Sequence, residues 1–327
     1  MRAAAACAFL ACVLGWGAQE WDFVPGERLL LFDDFTDMRP GAAPPHWKVR
    51  GASVTLDAPG RLLVSDDTQL TPNVTRWPAN FTVEQEFVID PKVDQGDMRW
   101  EFGPGPGDPE VRLQLVFFPD GRQATVQLKA GDELLGEAQG KWNPGAPNTL
   151  QLWMQDGRMR VYLNGARVVD ANQVKLAPPR FSMLELRPGD GASYTLLRLR
   201  IAESAPDISQ TLLSTGRFVT HGILFDVNSD GLREESLPVL KQVAAALQAE
   251  AALRLRIEGH TDSTGDAAKN LALSKRRAES VKQVLVSRFG ISAERLVTEG
   301  LGQTKPVAPN ETPRGRAENR RVEFVKR

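Results

Sequence analysis

The sequence predicts two domains, an all-β antiparallel sandwich followed by an α/β domain. Three observations predict it. The chain has 327 residues, about twice a common domain length. Before residue 205 apolar residues recur at a period of two, punctuated by Asp-Gly and Asn-Gly. After residue 211 a period of three and four sets in. Composition changes at the same place. Trp21, Trp47, Trp77, Trp100, Trp142 and Trp153 all precede it. Residues 19–204 carry 20 basic and 26 acidic side chains, a net of −6, and residues 205–327 carry 19 and 15, a net of +4.

Residues 1–18 read as a signal peptide, with Arg2 ahead of the apolar run Ala3–Leu14 and small residues at Gly15, Gly17 and Ala18. Both cysteines, Cys7 and Cys12, fall inside it, so the mature protein is expected to hold no disulfide. Leu10-Ala11-Cys12 leaves a lipid anchor open as a second reading.

Residues 19–204 form the sandwich. Phe81–Ile89 alternates, with Phe81, Val83, Phe87 and Ile89 on one face and Thr82, Glu84 and Glu86 on the other. Val111–Phe118 and Ala124–Lys129 follow as strands. Thr149–Gln155, Asp156-Gly157 and Arg158–Leu163 read as a hairpin, because Asp-Gly supplies the positive φ of a tight turn. Asn164-Gly165 turns into Ala166–Val169, and Tyr194–Ile201 closes the region. The small polar stretch 205–216 reads as a linker. Residues 217–327 form the α/β domain. Leu237, Leu240, Val243, Ala244 and Leu247 make one helical stripe, Leu253–Glu258 a strand, Asp266–Arg288 a second helix with Ala278, Val281, Val284 and Leu285 inward, and Asn319–Lys326 a last strand.

Several function classes are disfavoured. The formal net charge of −1 provides no field for a nucleic acid. After residue 18 no stretch approaches the ~20 apolar residues of a spanning helix, and strands broken by Pro, Gly and charge do not suit a membrane barrel. His46, His221 and His260, without a mature cysteine, make a poor zinc set, and no cofactor or metal is expected. Asp226-Val-Asn228-Ser-Asp230-Gly231 begins like a calcium loop, but Leu237 stands where the bidentate Glu belongs. Glu84 and Glu86 resemble a glycosidase pair only in spacing, since both lie on the polar face of a strand.

The strongest constellation is Ile257-Glu-Gly-His260-Thr261-Asp262-Ser-Thr-Gly265 followed by Asn270, Ser274 and Arg277. The first part is a strand running into a loop. The three later residues, spaced four and three apart, share one side of a helix. Arg277 continues the edge of an apolar stripe, where a guanidinium needs a partner. Asp262 is the candidate, either as a structural ion pair or as half of a binding site.

Gly259–Gly265, Asn270-x-x-Leu273-Ser-x-x-Arg277-Ala278, Gly300-x-Gly302, Pro306–Thr312 and Gly315-Arg-Ala-x-Asn319-Arg-Arg-Val-Glu-Phe324 resemble the C-terminal domain of the outer-membrane protein A (OmpA) family, shared with peptidoglycan-associated lipoproteins and flagellar stator proteins. The resemblance covers about residues 217–327 and implies an α/β fold of βαβαβ type that binds peptidoglycan without cleaving it. By motif position it implies that Asp262 holds the ammonium of the stem-peptide diaminopimelate and Arg277 its carboxylate. Thr261 and Asn270 would add neutral hydrogen bonds, Phe225 and Asp226 border the pocket, and Arg321 buttress it. His260 is expected to shape the loop.

The hairpin Asn148–Arg167 and the opening Leu30-Leu-Phe-Asp-Asp-Phe35 resemble laminin-G-like and concanavalin-like jelly rolls, which implies a jelly-roll-like sandwich and carbohydrate binding. The expectation is therefore a protein of the periplasm or outer-membrane-associated envelope, not an enzyme, bound to peptidoglycan. Its sandwich would meet a polysaccharide or an envelope protein. Two alternatives stay open, a wall-tethered glycan hydrolase carried by the sandwich and a purely structural spacer. The tryptophans fit either a core or a sugar platform.

Overall fold

The computed structural model describes residues 22–327 apart from 52–53, 65–67, 75, 91–96, 104–112, 121, 175–180, 188–192 and 205–207. The expected signal peptide, both cysteines and Trp21 lie outside the described residues. No helix among the described residues is long and apolar enough to cross a membrane.

The first region is a pair of antiparallel sheets. One runs in the order β13 (Ala166–Ala171), β12 (Arg158–Leu163), β11 (Asn148–Gln155), β6 (Phe81–Ile89), β15 (Tyr194–Glu203), β4 (Arg61–Val64), β3 (Val54–Ala58). β1 (Arg28–Asp33) extends β4's side of β15, pairing with Leu199–Glu203 while β4 pairs with Tyr194–Leu196. The other sheet runs β10 (Glu133–Lys141), β9 (Gln123–Ala130), β8 (Leu113–Asp120), β7 (Asp97–Gly103), β14 (Phe181–Arg187), β5 (Thr68–Pro72), β2 (Trp47–Arg50).

Alternation explains the packing. β6 turns Phe81, Val83, Phe87 and Ile89 inward, with Gln85 buried among them. Phe87 meets Phe117 of the facing sheet edge-on at 5.6 Å between ring centres, and Phe81 meets Phe102 at 5.8 Å. The hairpin turns form where expected, with φ of 49° and 76° at Asp156-Gly157 and 48° and 85° at Asn164-Gly165. Such values suit Gly and Asn and cost most other residues energy. Trp47, Trp77, Trp100 and Trp142 are all buried core residues. They fill the sandwich.

The second region is a mixed sheet in the order β16 (Arg217–Thr220), β19 (Val322–Lys326), β17 (Leu255–His260), β18 (Leu296–Gly302), in which β17 and β18 are parallel. The helices are α1 (Ile208–Thr215), α2 (Leu237–Ala249), α3 (Ala267–Ser287) and α4 (Pro313–Asn319). The stripes of α2 and α3 share one core with Leu255 and Ile257 of β17 and Phe324 of β19. α3 lies unusually close to the sheet. A Cβ at Gly259 of β17 would collide with the Ser274 carbonyl, and one at Gly300 of β18 with the Lys275 backbone. Glycine is required at both positions for the helix to sit so low.

The structure corrects four expectations. The segment 205–216 is not wholly a linker, because α1 occupies 208–215 and buries Ile208 and Leu212 in the second core. Asn319 ends α4, and the last strand starts at Val322. β17 starts at Leu255 instead of Leu253. The regions also touch. Val24 and Trp153, expected with the sandwich, pack against the second core.

Candidate functional site

β17 delivers the chain into the loop 261–266, and α3 begins where Asp266, its N-cap, accepts a bond from the Lys269 N–H at 2.9 Å. The loop is tied at both ends. The Thr261 N–H donates to the Gly302 carbonyl at 3.0 Å and its hydroxyl to the Asp262 carbonyl at 2.9 Å. Asn270 Nδ2 donates to the carbonyls of Asp262 (3.3 Å) and Thr264 (3.0 Å) and to Gln303 Oε1 (2.9 Å). Thr261 and Asn270, expected to touch ligand, thus spend these groups on the loop itself. Ser274 is buried, and its hydroxyl accepts from the Gly302 N–H at 2.9 Å, fixing α3 to the end of β18.

Asp262 is mostly buried. Its Oδ1 accepts from the Thr264 N–H at 2.9 Å and its Oδ2 from Arg320 Nη1 at 2.7 Å. Burial opposes its ionisation, but the Arg320 guanidinium and the Thr264 N–H outweigh burial and hold the carboxyl below the usual aspartate range.

Arg277 is half-buried on α3. Its Nε donates to the Ser229 carbonyl at 2.9 Å, and its guanidinium carbon lies 4.8 Å from the centre of the Phe225 ring. Burial lowers its pKa, opposed by the fields of Asp230 and then Asp262, and an arginine stays charged through such a shift. Among the described residues no carboxylate lies within ion-pair distance of Arg277, and its two terminal nitrogens form no hydrogen bond there. Of the two readings of this acid and base, the structural Asp262–Arg277 ion pair does not form among the described residues. The two groups feel each other's charge, but each is held by a different element.

Phe225 and Asp226 open the loop 225–232, which is closed by a bridge from Phe225 to Leu232 and by the Ser229 N–H bonding the Asp226 carbonyl at 3.1 Å. Phe225 forms the floor under Arg277, and Asp226 is exposed on the loop.

Arg321, expected to buttress the pocket, is buried, with Nε 2.7 Å from Glu323 Oε1 and Nη2 donating to the Lys305 carbonyl at 3.2 Å. The guanidinium at the site is its neighbour Arg320, since adjacent residues entering a strand point to opposite faces. Arg321 belongs to a buried set behind β17 with Glu258, His260 and Glu323. His260 is pushed down to about 4 by burial and by Arg321, with Glu323 opposing. Its Nε2 lies 3.4 Å from Glu323. Those carboxylates are already matched by Arg321, Arg217 and Arg256, so the set suits a neutral imidazole better than a metal ion.

Arg320, Ser229 and Asn310 were not foreseen as site residues. Asn310 Oδ1 accepts from the Ser263 N–H at 3.1 Å and from Asn319 Nδ2 at 2.9 Å. Only the placement of both Asn within the quoted motifs hinted at this. A backbone carbonyl such as Ser229's leaves no mark in sequence at all.

Residues 224–320 match the sequence profile of the OmpA family. The outer-membrane lipoprotein YfiB of Pseudomonas aeruginosa is 46% identical over 103 residues, 32% of this chain and 61% of that protein. Outer membrane protein A of Bordetella avium is 46% identical over 100 residues, 31% of this chain and 51% of its own length. Peptidoglycan-binding protein ArfA of Mycobacterium tuberculosis is 43% identical over 108 residues, 33% of each. In all three the match spans less than two thirds of the relative. Among solved structures, the peptidoglycan-associated lipoprotein of Burkholderia pseudomallei is 32% identical, with 32% of this chain and 88% of that chain covered at a TM-score of 0.30. The chain thus carries an OmpA family domain at residues 224–320, behind a β-rich N-terminal domain.

Proposed function

We propose that the protein binds peptidoglycan non-covalently through its C-terminal α/β domain, taking the zwitterionic end of diaminopimelate between Arg277 and Asp262. The observation that carries this is the state of Arg277. Its Nε is fixed by a carbonyl and its face by a ring, while the two terminal nitrogens point a planar fork at no protein acceptor among the described residues. Such a fork binds a carboxylate through two parallel bonds. Asp262, ionised and oriented by Thr264 and Arg320, retains lone pairs for an ammonium, since a carboxylate offers about four acceptor positions. The names of relatives that share the domain, ArfA among them, support the same reading.

The envelope is the matching location, and the protein acts as a tether. The sandwich serves as a spacer or binding module, with no catalytic role. Glu84 pairs with Arg200 at 2.6 Å and Glu86 with Arg198 at 3.3 Å, so neither is a free carboxylate for glycoside chemistry. The four buried tryptophans face the core, which leaves a sugar platform to other residues.

The test is co-sedimentation with purified sacculi. Wild type should pellet, and Asp262→Ala and Arg277→Ala should stay in the supernatant with unchanged circular dichroism. Sedimentation of both variants at the wild-type level would overturn the assignment.

A further inference from the structure

β1 carries a bulge. Its register with β15 shifts between Leu29 and Leu31, and a bulge re-aims the side chains on either side of it. Leu31 points into the sandwich core, with Leu30 packed against that core, whereas Leu29 and Phe32 form a separate small cluster with Ala317 of α4. β1 therefore presents an apolar step to the second domain. Polar contacts reinforce it. Arg314 Nη2 donates to the Leu29 carbonyl at 2.9 Å, and Arg316 Nη2 to Thr36 Oγ1 at 3.3 Å. The residue just past α4 is Arg320, whose guanidinium carbon stands 5.9 Å from the Phe32 ring centre while its Nη1 bonds Asp262.

We infer that the sandwich completes the binding site: Phe32 of β1 is a positioning residue that seats Arg320, and through it fixes the carboxylate of Asp262 for an incoming ammonium. Arg320 is partly exposed, with 41% of its side chain accessible. A long exposed arginine loses rotamer freedom when it binds an acid. A ring face at cation–π distance and a step shared with Ala317 restrict it in advance. The aspartate is thereby pre-organised, and ligand binding need not order it. The two domains are then coupled, and detaching the sandwich face from α4 weakens the site without touching a ligand contact.

This rests on the peptidoglycan reading, and the experiment separates the two. In the full chain, binding of a soluble diaminopimelate-containing tripeptide is measured by calorimetry for wild type, Phe32→Ala, Phe32→Leu, Arg320→Ala and the double variant Phe32→Ala/Arg320→Ala. Phe32→Leu keeps most of the apolar step but removes the ring face. Both Phe32 variants should weaken binding about two- to fivefold, and Phe32→Ala should have no further effect once Arg320 is gone. In parallel, the Asp262 carboxyl is titrated by carbon NMR without ligand, and in both Phe32 variants its pKa should move back up toward the usual aspartate range. Unchanged or tighter binding, or an equal loss with and without Arg320, would overturn the positioning role. If wild type ignores the tripeptide, the peptidoglycan reading falls, and the ligand-free titration still decides whether Phe32 acts on Asp262.

Discussion

The outer face of the sandwich and the loop site of the second domain both gather arginines and aspartates, but they finish differently. On the sandwich, Arg158 binds both oxygens of Asp170 at 2.7 Å, Arg167 reaches Asp22 at 2.9 Å, and the Tyr162 hydroxyl donates to Asp22 at 2.8 Å. Arg158 lowers the Asp170 carboxyl below its usual range. Arg160 lies over Trp153 and near both acids. Arg158 and Arg167 close on the protein's own carboxylates, and Arg160 stands 3.5 Å from Asp22 and 3.9 Å from Asp170. In the second domain Arg320 closes on Asp262, but Arg277 is set on a carbonyl and a ring with its fork turned outward. On the proposed function, the contrast separates a charge cluster matched internally from one that holds a half-buried charge without a carboxylate for an external group. That arrangement costs stability and is retained where an external group completes it.

The largest effect should come from the open fork. Arg277→Lys keeps the charge but loses the planar pair of donors, and it should cut peptidoglycan affinity at least tenfold with little change in melting temperature. Removing one member of a desolvated charged contact commonly costs about 2–5 kcal/mol. Near-wild-type binding by the lysine variant would mean that charge alone is read.

The next effect concerns the height of α3 above the sheet. Gly259→Ala places a methyl against the Ser274 carbonyl. Overpacking against backbone costs about 1–3 kcal/mol, and here it also shifts Arg277. Stability in urea and sacculus binding should fall together. A variant that lost stability but kept full affinity would show that the site tolerates a moved helix.

A third outcome is the pH dependence set by the buried side of β17. Folding lowers His260 from 6.5 to about 4, so between those values the unfolded chain binds more protons. The contribution of His260 is fully present above about pH 6.5, declines as the pH falls toward 4, and levels off below. His260→Gln should flatten the denaturation midpoint over that interval, and an unchanged slope would show that other groups dominate it.

The smallest effect is expected on the sandwich. Arg158→Ala opens a closed surface pair, and exposed pairs contribute little. Sacculus binding should stay at the wild-type level, with a melting temperature close to the wild type's. A binding loss there would mean that the sandwich's charges also meet the wall.

Period and turn chemistry are local properties, so the sequence by itself determined most of the elements. The alternation of Phe81, Val83, Phe87 and Ile89, the positive φ of Asp156-Gly157 and Asn164-Gly165, and the stripes of α2 and α3 all follow from neighbours within a few residues. The same locality explains the misses. α1 and α4 are eight and seven residues long, too short to set up a clear period or to form alone, and they exist because a core and β1 receive them. Asp262 and Arg277 were visible as a strand-end acid and a stripe-edge base. Their actual partners, Arg320 and the Ser229 carbonyl, lie 58 and 48 positions away. Nothing in the sequence links residues so distant. Which arginine closes on the aspartate, and which is left open, depends on how β1 meets the end of α4 and how the loop 225–232 meets α3, contacts that are set by the packing of distant segments.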